Sequence, residues 1–210
     1  MKTPLISKLM LATALLLLPA FAFASTQTIN FDDIPDNGGG TQVPNGYHGF
    51  NWNNFFALNT PLFTVNAGPS GYANGTVSSP NIAYNGFGAP ADFSGTNFSL
   101  VSGYFTGAWN DGLNIEVQGF DAAHNMIDDV NFLVNTSGPT LETFNWSGLY
   151  DVNFISSGGV NHGYAGSGTQ FALDDLTVGT GAPGVPEPGS LVLLGTGFIG
   201  LLGAARRRLM

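Results

Sequence analysis

The feature that most constrains this chain is the way apolar residues alternate in short runs that glycine and asparagine keep interrupting. Leu113-Asn114-Ile115-Glu116-Val117 is the clearest run, and Thr28-Ile29-Asn30-Phe31, Phe98-Ser99-Leu100, Val130-Asn131-Phe132, Phe144-Asn145-Trp146, Val152-Asn153-Phe154 and Phe171-Ala172-Leu173 follow the same rule. An apolar residue at every second position gives an extended segment one inward and one outward face. Turn pairs such as Asn37-Gly38, Asn45-Gly46, Asn85-Gly86 and Asp111-Gly112 separate the runs. No stretch holds a helical apolar period. Many short strands at this spacing predict an all-β domain over residues 25–178, a two-sheet antiparallel β-sandwich of the jelly-roll type. Residues 98–178 carry the clearest pattern. Residues 36–90, richer in Gly, Pro and Asn, are expected to hold the longer loops.

Charge narrows what such a domain can bind. The chain has 5 Lys+Arg against 14 Asp+Glu, and the five cations are Lys2, Lys8, Arg206, Arg207 and Arg208. The predicted body between them has neither lysine nor arginine. Binding to nucleic acid rests on cations that neutralise phosphate, so that class is excluded and phosphorylated cofactors are disfavoured. Partners are expected to be neutral molecules or cations. With no cysteine there is no disulfide, no thiol nucleophile and no cysteine zinc site.

Both ends read as targeting segments. Residues 1–24 have Lys2 and Lys8, an apolar run over 9–18 and Ala22-Phe23-Ala24, the pattern of a secretory signal peptide cut after Ala24. At the other end Pro186-Glu187-Pro188 precedes an uncharged apolar run over 191–205 and then Arg206-Arg207-Arg208. The order predicts a transmembrane helix with its cationic end in the cytoplasm. The run is short beside the roughly 20 residues of a comfortable span, and Gly189 and Ser190 extend it. Residues 179–185 read as a linker. The tail resembles the PEP-CTERM sorting signal of Gram-negative bacteria, on Pro186, Glu187, Pro188, the apolar run and the three arginines. The resemblance implies processing by an exosortase near Pro-Glu-Pro, transient anchoring in the inner membrane, and delivery to the cell surface or to an extracellular matrix rich in exopolysaccharide. Prolines that keep this boundary extended suit entry into a protease cleft.

Two acidic pairs bracket the body, Asp32-Asp33 after the first strand and Asp174-Asp175 in the last. First and last strands of a sandwich commonly lie side by side, which would bring these carboxylates together with no lysine or arginine to relieve them. Ca2+, which takes carboxylate and carbonyl oxygens, is the natural ligand; the alternative is two solvated strand ends. With Phe31-Asp32-Asp33 at one end, Phe171-Ala172-Leu173-Asp174-Asp175-Leu176 at the other and aromatic-rich loops between, the body resembles calcium-dependent jelly-roll carbohydrate-binding modules. That resemblance implies a fold and a structural Ca2+ near the terminal strands.

Sugars stack their apolar C–H faces on flat rings. Trp52 and Trp109, in glycine- and asparagine-rich surroundings, and Tyr47 and Tyr72 are the candidate platforms, with core packing as the alternative. Trp146 reads as core. An enzyme is not expected. Glu116 and Glu142 are the body's only glutamates and nothing in the sequence pairs them. His48, His124 and His162 lack a zinc spacing, and there is no nucleophile elbow. The sequence therefore predicts an exported structural or adhesive protein with weak carbohydrate binding. A purely structural matrix protein is the alternative, and a glycan-active hydrolase is a third reading.

Overall fold

The structure, a computed structural model, describes residues 25–180. The predicted signal peptide, most of the linker, the transmembrane segment, and the sorting residues Pro186, Glu187, Pro188, Arg206, Arg207 and Arg208 lie outside the described residues. Among the described residues no helix is long and apolar enough to cross a membrane.

The strands are β1 (Thr26–Ile29), β2 (Thr41–Gln42), β3 (Asn51–Asn53), β4 (Phe55–Asn59), β5 (Asn81–Asn85), β6 (Ala91–Gly107), β7 (Asn110–Asp111), β8 (Leu113–Phe120), β9 (Met126–Val134), β10 (Thr140–Ser157), β11 (Val160–Asn161) and β12 (Phe171–Thr180). Their pairings are antiparallel. Ten strands form one sheet: eight follow the path β2-β4-β5-β12-β6-β10-β8-β9, and β1 lies beside β12 and β3 beside β6; β7 and β11 form a separate ribbon. The predicted neighbourhood of first and last strands is present: Ile29 pairs with Leu176.

The path folds into two layers because its two longest strands bend. Residues 91–94 of β6 pair with β3 and with the end of β10, whereas residues 98–107 pair with β12 and 98–105 with the start of β10. Strand β10 slips register three times between Thr143 and Asp151, and Asn145 (φ 55) and Gly148 (φ 75) take left-handed backbone there. Such bulges sharpen the local bend. At the β6 bend a side chain on Gly95 would meet the Phe50 ring at 2.8 Å. The front layer is β2, β4, β5, β12, β1 and the adjoining halves of β6 and β10. The back layer is β3, the other halves of β6 and β10, β8 and β9.

The inward residues of the alternating runs fill the space between the layers. Phe55 of β4 meets Phe154 of β10 at 5.6 Å, and Phe105 of β6 meets Phe132 of β9 at 5.1 Å. Ile29, Phe31, Phe93, Leu113, Ile115, Val117, Phe171 and Leu173 are fully buried among them. Trp146 packs against this core, partly buried, as read from its alternation. Burying each aromatic ring contributes about 2–3 kcal/mol.

Two expectations are corrected. Strand β12 runs through Gly179 and Thr180, which pair with Ser99 and Phe98, so these two residues, read as linker from the sequence, belong to the sandwich. The stretch read as loops contains helix α1 (Thr60–Ala67) and the single turn α2 (Gly71–Asn74). Helix α1 lacks an amphipathic period and is set by its ends. Asn59 accepts from the Leu62 N–H, Pro61 sits in the first turn, and Gly68 closes the helix at φ 82. These elements cover the outer side of the front layer and enclose a second cluster of Leu58, Tyr72, Ile82, Ala108, Trp109 and Ala172.

Candidate functional site

The four candidate acids sit at the same end of the β1–β12 pair, and three of them are engaged by the chain itself. Asp174 is 0% exposed. Its Oδ2 accepts from the Val77 N–H (2.7 Å) and the Ser78 N–H (2.9 Å), and its Oδ1 from the Ser78 hydroxyl (3.1 Å) and the Asp175 N–H (2.8 Å). Burial pushes this carboxyl up to about 7, against the pull of the three backbone donors. Asp32 accepts from the Asn81 N–H at 2.8 Å, and exposed Asp33 from the Tyr47 hydroxyl at 2.5 Å. Asp175 is a left-handed residue (φ 48) where β12 shifts register. Asp32 and Asp174, from opposite ends of the body, thus clamp one segment, residues 77–81, ahead of β5. Both Asp174 oxygens already accept N–H and O–H donors, and Asp32 and Asp33 each accept on Oδ1. Among the described residues no group of three or more His, Asp or Glu is placed to hold a metal.

The candidate aromatic platforms are mostly core. Trp52 is 3% exposed, with Phe93 at 5.1 Å, Phe55 at 5.5 Å and Phe31 at 5.6 Å, and its indole N–H donates to the Tyr47 carbonyl. Trp109 (8% exposed) and Tyr72 (4%) meet at 5.3 Å in the cluster beneath the helices. Burial raises the Tyr72 hydroxyl far above its usual range. None of these three rings offers a face to a sugar. Tyr47 is half-buried, and its ring packs on Phe31. Asn51 and Asn53 are the exposed residues of β3 on either side of buried Trp52, and Asn110 opens β7 beside Trp109.

The outer side of the back layer holds what the sequence reading missed. The alternation that buries Trp52, Phe93, Val152, Phe154 and Val117 turns Asn53, Asp92, Asp151, Asn153 and Gln118 outward. Register then aligns them: Asn53 lies opposite Asp92, Asp92 opposite Asn153, Asn153 opposite Gln118, and Asp151 opposite Phe120. Asp92, Phe120, His124, Asp151 and Asn153 line an open pocket of about 320 Å³. Asn53 donates to Asp92 Oδ2 at 2.6 Å. Burial and then the charge of Asp92 raise the Asp151 carboxyl, and His124 opposes them. His124 is held at the rim by the β8–β9 turn, where the Asp121 carboxylate accepts from the N–H groups of Ala123 and Asn125. The pocket thus offers carboxylate and amide groups beside an aromatic ring, without lysine or arginine. The outward half of the alternation was legible in the sequence; the register that joins Asp92 to Asn153 across two bent strands was not.

Elsewhere, His162 is not a free loop residue. It pairs with Asp111 at 2.6 Å, which holds the Asp111 carboxyl down at about 2, and Asp111 also accepts from the Thr136 N–H and hydroxyl. This ties the β7–β11 ribbon to the turn after β9. Glu116 faces outward as expected and accepts from Gln118 at 2.6 Å.

The chain has fold relatives among solved structures. A DUF4465 family protein from Bacteroides caccae superposes with a TM-score of 0.54 at 14% identity, over 73% of this chain and 98% of that one. A second DUF4465 family protein, from Bacteroides ovatus, aligns at 11% identity over 77% of this chain and 96% of that one, with a TM-score of 0.42. TmCBM61, solved in complex with β-1,4-galactotriose, aligns at 10% identity over 71% of this chain and 97% of that one, with a TM-score of 0.37. The first likeness establishes a shared fold. No curated protein matches the chain in sequence. Outside the described residues, positions 184–208 match the PEP-CTERM protein-sorting motif, which marks the chain as an exported protein.

Proposed function

We propose that this exported protein, processed by an exosortase, is a structural or adhesive component of the extracellular matrix whose β-sandwich binds a polyhydroxylated glycan on the outer side of its back layer. The observation that carries the reading is the pocket of Asp92, Asp151, Asn153, His124 and Phe120. Carboxylate and amide groups are hydrogen-bond partners for sugar hydroxyls, and a ring edge or face serves the C–H surface. The absence of lysine and arginine from the described residues favours a neutral or cationic glycan over an anionic one.

The test is retention of the protein on polysaccharide isolated from its producing bacterium. Wild type is retained, and an Asp151→Ala, Asn153→Ala double variant with an unchanged melting temperature is not. Equal retention of the two places binding outside the pocket, and retention of neither leaves a structural matrix protein without a specific ligand. Retention that disappears in EDTA restores Ca2+ to the account. Shortening of the polysaccharide chains during incubation makes the two aspartates a hydrolytic pair instead.

A further inference from the structure

One exposed ring lies outside the pocket and is held with unusual care. Phe87 is 89% exposed, in the turn Gly86-Phe87-Gly88 that joins β5 to β6. Its backbone is left-handed (φ 59), a conformation that L side chains avoid and aromatic residues adopt rarely. The ring buries almost nothing in compensation. The turn is nevertheless tied down on several sides. Asn54 Nδ2 donates to the carbonyls of Gly86 (3.0 Å) and Pro90 (3.0 Å), and its own carbonyl accepts from the Gly86 N–H at 2.9 Å. Asn85, fully buried, donates to the Ala89 carbonyl at 3.0 Å and accepts from the Phe171 N–H at 2.9 Å. The Thr169 hydroxyl donates to the Gly88 carbonyl at 3.1 Å. A loop fixed in this way presents its ring without having to order it on binding, and strain kept by surrounding bonds points to use of the strained residue.

The position relates to the pocket. Phe87 precedes Asp92 by five residues, so the two Cα atoms are separated by at most about 17 Å. Asn54, which anchors the loop, adjoins Asn53, which bonds Asp92. Along β6, the Phe120 end of the pocket lies level with Ser94 and Asp151, and the Phe87 loop lies beyond Ala91 at the other end.

We infer that Phe87 is a second glycan platform, and that the ligand is therefore a polysaccharide chain long enough to reach from the pocket to this loop rather than a single sugar. The inference rests on the glycan-binding reading above. Its test measures the affinity of the protein for the producer's polysaccharide cut into fragments graded by length, with wild type and Phe87→Ala side by side. For wild type, affinity climbs with length beyond fragments that fill the pocket. For Phe87→Ala the climb stops early, so that long chains bind about tenfold more weakly, the size of one aromatic contact, while the shortest binding fragments are held as before. The variant's melting temperature stays at the wild-type value, because the ring packs against nothing. A variant that matches wild type at every length overturns the inference and leaves the pocket intact. A variant that loses short and long fragments equally also overturns it, by placing Phe87 inside the pocket. Wild type that binds no fragment overturns the glycan reading itself, and the inference with it.

Discussion

The two layers treat their outer sides differently, and the sequence carries the difference. In the front layer β5 is buried on both faces: Asn81, Ile82, Ala83 and Asn85 are all covered, with Tyr84 half-covered. Ile82 packs beneath the helices while Ala83 faces the main core. In the back layer β8 alternates without exception, Leu113, Ile115, Val117 and Gly119 in, Asn114, Glu116, Gln118 and Phe120 out. A strand covered on both sides reads as a near-continuous apolar run, and a strand with one free side alternates. Polar groups on the covered side answer to the chain, as Asp174 does to Val77 and Ser78. Polar groups on the free side bond to one another across the strands, as Asn53 does to Asp92, rather than to buried backbone. The acids that looked most like a site in the sequence belong to the first kind, and those of the proposed glycan pocket belong to the second.

This contrast sets a scale of expected effects. Trp52→Ala removes a ring wedged among four phenylalanines and is expected to cost about 4 kcal/mol, measured by denaturant unfolding. A loss under about 1 kcal/mol would return Trp52 to the surface and to the list of sugar platforms. Asp174→Ala leaves the N–H groups of Val77, Ser78 and Asp175 without their acceptor, and about 3 kcal/mol is expected.

A pH effect follows on the same residue. Burial holds the folded-state carboxyl of Asp174 up to about 7, above the ordinary value near 4 in the unfolded chain. Between those values unfolding releases a proton. The Asp174 contribution is therefore fully present below about pH 4 and is lost as pH rises through about 7. Unfolding free energies measured from pH 4 to pH 8 should fall more steeply for wild type than for Asp174→Asn; identical slopes would show that the carboxyl ionises normally. Smallest in stability is Asp151→Asn on the free side. It removes repulsion from Asp92 and should change stability by no more than about 0.5 kcal/mol, in the favourable direction, while weakening glycan retention. A large loss of stability there would mean that the back layer uses its acids as the front layer does.

Much of the fold was legible because one face of most strands is free. The runs at Phe98, Leu113, Val130, Val152 and Phe171 all fall within strands and point their apolar residues inward. The pairing of first and last strands followed from a general property of sandwiches. Helix α1 was not legible, since Thr60-Pro61-Leu62-Phe63-Thr64-Val65-Asn66-Ala67 has no apolar stripe and only its capping residues Asn59 and Gly68 mark it. For the two tryptophans the sequence left sugar platform and core packing both open, because their glycine and asparagine neighbours look like surface; yet Asn51 and Asn53 are the outward residues of the strand whose inward residue is Trp52. The pocket stayed hidden for a different reason. Asp92 and Asn153 are 61 positions apart, and the slips between Thr143 and Asp151 decide which residues of β10 face β6. Register set by bulges leaves no periodic trace.

The most direct test of the central claim, that the uncovered side of the back layer is the binding side, is hydroxyl-radical footprinting of the protein with and without the producer's polysaccharide. Phe120 and His124 are expected to lose reactivity on binding, while Leu62 and Val65, exposed on the helix that covers the front layer, keep theirs. Protection of Leu62 and Val65 with Phe120 and His124 unchanged would place the ligand on the wrong layer and contradict the account.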